Sequence, residues 1–316
     1  MSYIEAVRSR AGRRKLFLAF ASVVLRSEPG AVLLQQRTDF NTWGLPGGIL
    51  EPGESIWDCA RRELREETGL SCGELALVGV YSDPRWDVVY PNGDQVQQYT
   101  VCFQAEAGGG ALQADGQETR DLRYFTPEEI PYEALADFYR HMIRDALAGG
   151  EPAFTPPCLR PEHTPQVERM RALLGEMTFI GVSAVAVIAD GAGRILMVRR
   201  ADDGEWDFPG GYLHLGENAS HCAIRETREE TGLEIELEGI LGLHSSPRPW
   251  PYPLGANVQR VATLFRARVS GGELLDSTEE TAGAAWLSPQ EILRQEGKAA
   301  LVELKRGVIA AWEGKA

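Results

Sequence analysis

Two stretches of the chain place glutamate, arginine and glycine at spacings that suit divalent-cation and phosphate chemistry. The first runs from Gly48 through Glu54, Arg62-Glu63-Leu64 and Glu66-Glu67 to Gly69-Leu70. The second runs from Gly211 through Glu217, Arg225-Glu226-Thr227 and Glu229-Glu230 to Gly232-Leu233, with the same spacings. On a helix over 55–67, Glu63, Glu66 and Glu67 stand at i, i+3 and i+4 and share one face. Bare carboxylates so placed repel one another, and folding alone gains little from them. A hard divalent ion explains the cost, because Mg²⁺ and Mn²⁺ prefer oxygen ligands and keep waters that substrate phosphates can replace. A solvated acidic face would account for a single Glu-Glu pair; it accounts poorly for the whole pattern occurring twice. Gly47-Gly48 and Gly210-Gly211 allow backbone to approach closely and to adopt positive φ. Arg62 and Arg225 are expected to pair with a cassette carboxylate and fix its orientation.

The elements that must position these residues repeat as well. Trp43-Gly-Leu-Pro-Gly-Gly48 lies over Trp206-Asp-Phe-Pro-Gly-Gly211 at an offset of 163 residues, as do Arg37 over Arg200 and Asp39 over Asp202. Downstream, Phe125 falls on Trp286 at an offset of 161. A period this long indicates duplicated domains, not a solenoid. We expect domains at 1–147 and 166–316, joined at 148–165 by a linker whose prolines and glycines disfavour helix and ladder pairing. Short apolar runs at 20–25, 32–36, 76–81 and 99–105 mark strands. For the helix over 55–67, Ser55 suits the N-cap with Asp58 three residues on, and Gly69 suits the C-terminal stop. Leu135, Phe138, Tyr139, Met142 and Ala146 form an apolar stripe at helical spacing, and Leu301, Leu304, Val308 and Trp312 form another. The basic and apolar start of the chain, with Arg13, Arg14 and Lys15 before the run 16–25, resembles a leader peptide. The matching run Phe179–Ile188 in mid-chain favours a buried strand instead.

The cassettes match the Nudix box, G-x5-E-x7-R-E-U-x-E-E-x-G-U, where U is a bulky aliphatic residue. The first copy fits every position; the second departs at Thr227, where packing rather than chemistry is in question. This resemblance to the Nudix hydrolases implies two tandem α/β/α sandwich domains with mixed sheets. It also implies metal-dependent hydrolysis of the pyrophosphate in a nucleoside diphosphate linked to another group, with Mg²⁺ or Mn²⁺ as cofactor. The implied ligands are Glu63, Glu66, Glu67 and the Gly47 carbonyl, and in the second copy Glu226, Glu229, Glu230 and Gly210. Many members add a carboxylate from outside the box. Glu118 lies seven residues before Phe125 and Glu279 seven before Trp286, which makes them the candidates, with Glu280 the competitor. Glu63 or Glu118, and Glu226 or Glu279, would take the proton of the attacking water.

Substrate choice lies outside the box. Arg37 and Arg200 end the second strand of each copy, where they either contact phosphate or form surface ion pairs. Ser82-Asp-Pro-Arg85-Trp86 with Tyr90 resembles a loop of ADP-ribose or nucleoside-triphosphate pyrophosphatases, and Arg248, Trp250 and Tyr252 occupy the equivalent stretch. The aromatic rings there either stack on a base or pack the loop. The copies differ in this region, from which a different substrate preference for each site is expected. A net charge of -14 argues against a long nucleic acid as partner, while a bound cation lets an acidic protein take a small nucleotide. The 5 cysteines form no C-x-x-C pair and read as free thiols of a cytoplasmic protein. The five histidines are scattered, as surface or packing residues are. No apolar stretch is long enough for a membrane helix. The two copies are expected to pair within one chain or to form a homodimer.

Overall fold

The structure is a computed structural model that describes residues 2–27, 30–251 and 257–314. The chain divides into two compact units, Met1–Phe154 and Thr155–Ala316.

Each unit is built on a parallel pair of long strands. In the first, Leu16–Arg26 runs beside Gln95–Gly110, in register from Leu16 opposite Val96 to Arg26 opposite Glu106. Antiparallel strands flank the pair, Gly47–Ile49 on one side and Ala76–Tyr81 on the other. A second ladder sets Val32–Arg37 between Thr119–Phe125 and Trp43–Gly44, all antiparallel. The second unit repeats the plan. Phe179–Ile188 runs parallel to Asn257–Gly272, flanked by Gly210–Tyr212 and Leu233–Ser245. Ile195–Arg200 sits between Thr281–Leu287 and Trp206–Asp207. The sheets are mixed, as the resemblance implies.

A central parallel strand is covered on both faces and so reads as a continuous apolar run. Every residue of Phe179–Ile188 is buried, which accounts for the leader-like runs of both copies. Alternate side chains serve opposite faces. Val185 and Val187 pack with Leu301, Leu304 and Val308 of the helix Ala299–Trp312. Ala186 and Ile188 pack with Ile224 of the helix Ala219–Thr231. One helix lies on each face of the sheet, giving a sandwich. In the first unit Val24 shares a core with Tyr139, Met142 and Ile143 of the helix Asp137–Ala148.

The stretch 148–165 carries more pairing than its prolines lead one to expect. Ala153–Phe154 runs parallel to Gly79-Val80 in the first unit. Leu159–Pro165 runs antiparallel to His214–Glu217 in the second, with a register shift between Leu159 and Thr164. Proline is compatible with such irregular edge strands, where its missing N–H faces no partner. Among the described residues, no helix is long and apolar enough to cross a membrane.

Candidate active site

The helix Ile56–Thr68 starts at Ser55, whose side chain accepts from the Asp58 backbone N–H while the Asp58 carboxylate accepts in return, a reciprocal capping box. It stops at Gly69 in the left-handed conformation. Its twin, Ala219–Thr231, starts at Asn218 and stops at left-handed Gly232. With both ends fixed, Glu63 and Glu67, or Glu226 and Glu230, are directed at the glycine strand preceding the helix. The approach is close enough to exclude a side chain. A Cβ on Gly48 would lie 2.5 Å from the Glu63 carboxylate, and one on Gly211 would lie 2.3 Å from that of Glu226.

One arginine organises each cassette. Arg62 donates to Glu54 through Nε (3.0 Å) and Nη2 (2.6 Å), and to Glu63 (2.7 Å) and Glu66 (3.1 Å) through Nη1. Arg225 does the same for Glu217, Glu226 and Glu229. This bidentate geometry orients a carboxylate in a way a lysine cannot. Glu66 and Glu229 remain exposed, while Glu63, Glu67, Glu226 and Glu230 are buried. Burial pushes Glu63 up to about 7 against the pull of Arg62, and Glu226 up to about 7 against Arg225. It pushes Glu67 up to about 8, against hydrogen bonds from Gln35 and Gly47, and Glu230 well above the usual carboxylate range. Burial therefore favours the protonated form of these carboxylates.

The donor set fits a hard divalent ion. In the second unit Glu226, Glu230 and Glu280 bring one carboxylate oxygen each to within 4.8 Å of one another. Among the described residues no trio of the first unit meets the same measure. The second-unit carboxylates border a cavity of about 540 Å³. Arg200, Arg260, Tyr212 and Asp207 also line it. Arg260 is largely buried, donates through Nε to Ser183 (2.9 Å) and lies 3.8 Å from Asp207.

The sheet register re-assigns the carboxylate outside the box. Val32 pairs with Phe125, and its equivalent Ile195 pairs with Leu287, not with Trp286. Glu118 therefore corresponds to Glu280. The backbone agrees: Thr38 N–H donates to the Glu118 carbonyl, and Ala201 N–H to that of Glu280. Glu279 borders the cavity but lies one residue out of register. Phe125 and Trp286 are thus not equivalent positions: a bulky apolar residue closes each strand, and the counterpart of Phe125 is Leu287.

Other predicted residues fall in mixed places. Arg37 and Arg200 each form a two-pronged ion pair, with Asp39 and Asp202, and Arg200 also borders the cavity. Arg85 is exposed, its guanidinium 4.5 Å from the Trp86 ring centroid. Trp86 is buried and donates to Asp137, so it packs the loop. Tyr90 lies against Phe40 at 5.5 Å. Arg248 borders a different cavity, with Glu303 and Arg306. Tyr252 lies outside the described residues. Gly47 and Gly210 contribute their N–H groups, to Glu67 (2.7 Å) and Glu230 (2.8 Å). Thr227 is buried and its hydroxyl donates to the Ala223 carbonyl (2.7 Å), so the departure from the box leaves no orphaned polar group. Sequence reading missed Arg260, Asp207 and His221, which is hydrogen-bonded to Glu217 (2.8 Å). Arg260 is one of three arginines, with Arg266 and Arg268, in the strand Asn257–Gly272, and nothing in that sequence singles it out.

The NUDIX domain family model matches the chain twice, over residues 16–146 and 180–308. A MutT-like protein of Streptomyces ambofaciens is 38% identical over 113 residues, 35% of this chain and 66% of that protein. A putative 8-oxo-dGTP diphosphatase of Bacillus subtilis is 37% identical over 111 residues, 35% of this chain and 68% of the other. An ADP-ribose pyrophosphatase of Methanocaldococcus jannaschii is 34% identical over 105 residues, 33% of this chain and 57% of the other. The matches thus span 57% to 68% of these curated relatives. Among solved structures, a MutT NUDIX hydrolase from Burkholderia pseudomallei gives a TM-score of 0.35 at 22% identity, covering 41% of this chain and 97% of that one. The NUDIX domain of Shewanella oneidensis NrtR, complexed with ADP ribose, gives 0.36 at 22% identity, covering 47% and 98%. Both family matches fall on the units that carry the carboxylate cassettes, and the chain belongs to the Nudix hydrolase family as a tandem of two NUDIX domains.

Proposed function

We propose that this chain hydrolyses the pyrophosphate linkage of nucleoside diphosphate derivatives, with ADP-ribose or (deoxy)nucleoside triphosphates as substrates and a nucleoside monophosphate as product. The observation that carries the reading is the carboxylate trio Glu226, Glu230 and Glu280 on the cavity that Arg200 and Arg260 also border. Relatives named for 8-oxo-dGTP and ADP-ribose support the substrate class.

Glu226, Glu230 and Glu280 would hold Mg²⁺ or Mn²⁺, with Glu229 at the exposed end of the same face; Glu63, Glu66, Glu67 and Glu118 are their counterparts. The ion supplies charge neutralisation on the phosphates and a more acidic water. Arg225 keeps Glu226 and Glu229 oriented through Nη1 while its other nitrogens stay on Glu217. Arg200 and Arg260 offset phosphate charge from the cavity wall. A carboxylate accepts the water proton, the water oxygen bonds to phosphorus in line, and the bridging P–O bond breaks, leaving its electron pair on the departing phosphate.

The test is a panel of ADP-ribose, 8-oxo-dGTP and the common nucleoside triphosphates, with Mg²⁺ and with Mn²⁺, on the full chain. Altering contacts around metal ligands costs about 10–100-fold, and losing a ligand in both units should cost more than about 100-fold. The double variant Glu67→Gln, Glu230→Gln is expected to show that loss; full metal-dependent turnover by it would refute the assignment. A second reading, one catalytic unit and one nucleotide-binding unit, is favoured by the cation-ready trio being found in the second unit alone among the described residues. The two single variants distinguish it: a loss confined to Glu230→Gln supports it.

A further inference from the structure

The two cassettes are chemically alike but their last carboxylates are held differently. Gln35 pairs across its ladder with Gly44 and Leu122; Val198 pairs with Asp207 and Ala284 in the same two directions. Gln35 and Val198 are thus equivalent positions, both fully or almost fully buried. Gln35 Nε2 donates to the Leu45 carbonyl (3.2 Å) and to Glu67 Oε1 (3.0 Å), and its Oε1 accepts from the Thr119 hydroxyl. The Leu45 carbonyl can only accept, so the amide is fixed with its nitrogen toward Leu45 and Glu67. Both Glu67 oxygens are consequently engaged by protein donors: Oε1 by Gln35 and Oε2 by the Gly47 N–H.

Val198 has no donor to offer. Glu230 Oε2 accepts from the Gly210 N–H, and no protein donor reaches Oε1 among the described residues. Thr281, the counterpart of Thr119, donates instead to the Glu230 backbone carbonyl (3.0 Å). The exchange of glutamine for valine therefore changes one feature of the carboxylate, whether its second oxygen is already held.

We propose that Gln35 is a positioning residue that competes with a divalent cation for Glu67 and makes the first unit the weaker of two cation sites, Val198 leaving the second unit the stronger. The proposal rests on the reading of both cassettes as cation sites. An oxygen that already accepts an amide hydrogen bond in a buried setting must share or surrender it when a cation arrives. Glu230 faces no such competition and joins Glu226 and Glu280.

The experiment is Mn²⁺ binding to the full chain, followed by the electron paramagnetic resonance signal of free Mn²⁺, with nucleotide absent. Two classes of site are expected, the tighter one removed by Glu230→Gln. Gln35→Val should tighten the weaker class about tenfold, the scale on which partners of ligands act. Val198→Gln should weaken the tighter class by a similar factor. Circular dichroism of each variant tests folding. In Gln35→Val the Thr119 hydroxyl is expected to take the backbone acceptor its counterpart uses, and Val198→Gln carries the test by itself should Gln35→Val not fold. Unchanged affinities in the folded variants overturn the role of Gln35, as does a tighter class that depends on Glu67. Absence of Mn²⁺ binding altogether overturns the cation reading beneath it, which separates the two failures.

Discussion

The first and second cassettes share every box glutamate and arginine, and nearly every contact that orients them. They differ in what lies just beyond. Gln35 donates to Glu67, while the ladder position equivalent to Gln35 in the second unit is held by Val198. Where the first unit has Gly44, on which a Cβ would lie 2.8 Å from the Tyr139 ring, the second has the buried Asp207 near Arg260. Where the first has Asp58 capping its helix, the second has His221 on Glu217. Glu217 is held down to about 2: its hydrogen bonds from His221 and Arg225 overcome the opposing effect of burial. A motif records which atoms could bind a cation. The contacts of those atoms decide how free they are to do so.

The largest disturbance to this comparison should come from the glycines both cassettes share. Gly47 and Gly210 have φ of 150° and 153°, and a Cβ on either would lie 2.1 or 2.3 Å from the carbonyl oxygen of Ala21 or Ala184. Gly47→Ala and Gly210→Ala are each expected to cost about 1–3 kcal/mol or more, because backbone on both sides must shift. Urea unfolding of the full chain measures it. A loss below about 0.5 kcal/mol in either variant would show that its strand has room to relax.

A smaller effect is expected from pH. Glu63 and Glu226 are raised to about 7 and Glu67 to about 8, above the ordinary value of 4.5. The folded state then binds more protons than the unfolded one between those values. The stability contributed by the protonated groups is complete below pH 4.5 and is lost as pH rises through 7 to 8. A cation replaces the protons, so Mg²⁺ should raise the melting temperature more at pH 8.5 than at pH 5. Equal shifts at both would mean these carboxylates are not the site of binding.

The smallest effect should follow Thr227→Val. The threonine is buried, and its hydroxyl serves only the Ala223 carbonyl within its own helix. Loss of one such bond costs about 0.5–1.5 kcal/mol, and turnover of the preferred substrate should be unchanged within about twofold. A large loss of turnover at unchanged stability would return Thr227 to the centre of the difference between the units.

Much of this arrangement could be read from the chain because it is local. Helix spacing puts Glu63, Glu66 and Glu67 on one face whatever surrounds them, and Ser55, Asp58 and Gly69 mark their own helix ends. The repeat supplied a second instance of the carboxylate face and of the glycine stop. Less could be read where strands meet. Glu279 and Glu280 are neighbours in sequence, and only the pairing of Ile195 with Leu287 selects Glu280 as the counterpart of Glu118. The sequence groups Arg248 with the substrate loop, yet it borders another cavity while Arg260 borders the acidic one.

By itself, then, the sequence determined the duplicated architecture, the helix that carries each cassette and the identity of its carboxylates, since these depend on periodicity and on residues a few positions apart. Tertiary structure decided which carboxylate joins from outside and which oxygen is already held. Those depend on partners such as Gln35 and Glu67, thirty-two positions apart, and a cross-strand register moves side chains between faces with a slip of a single residue.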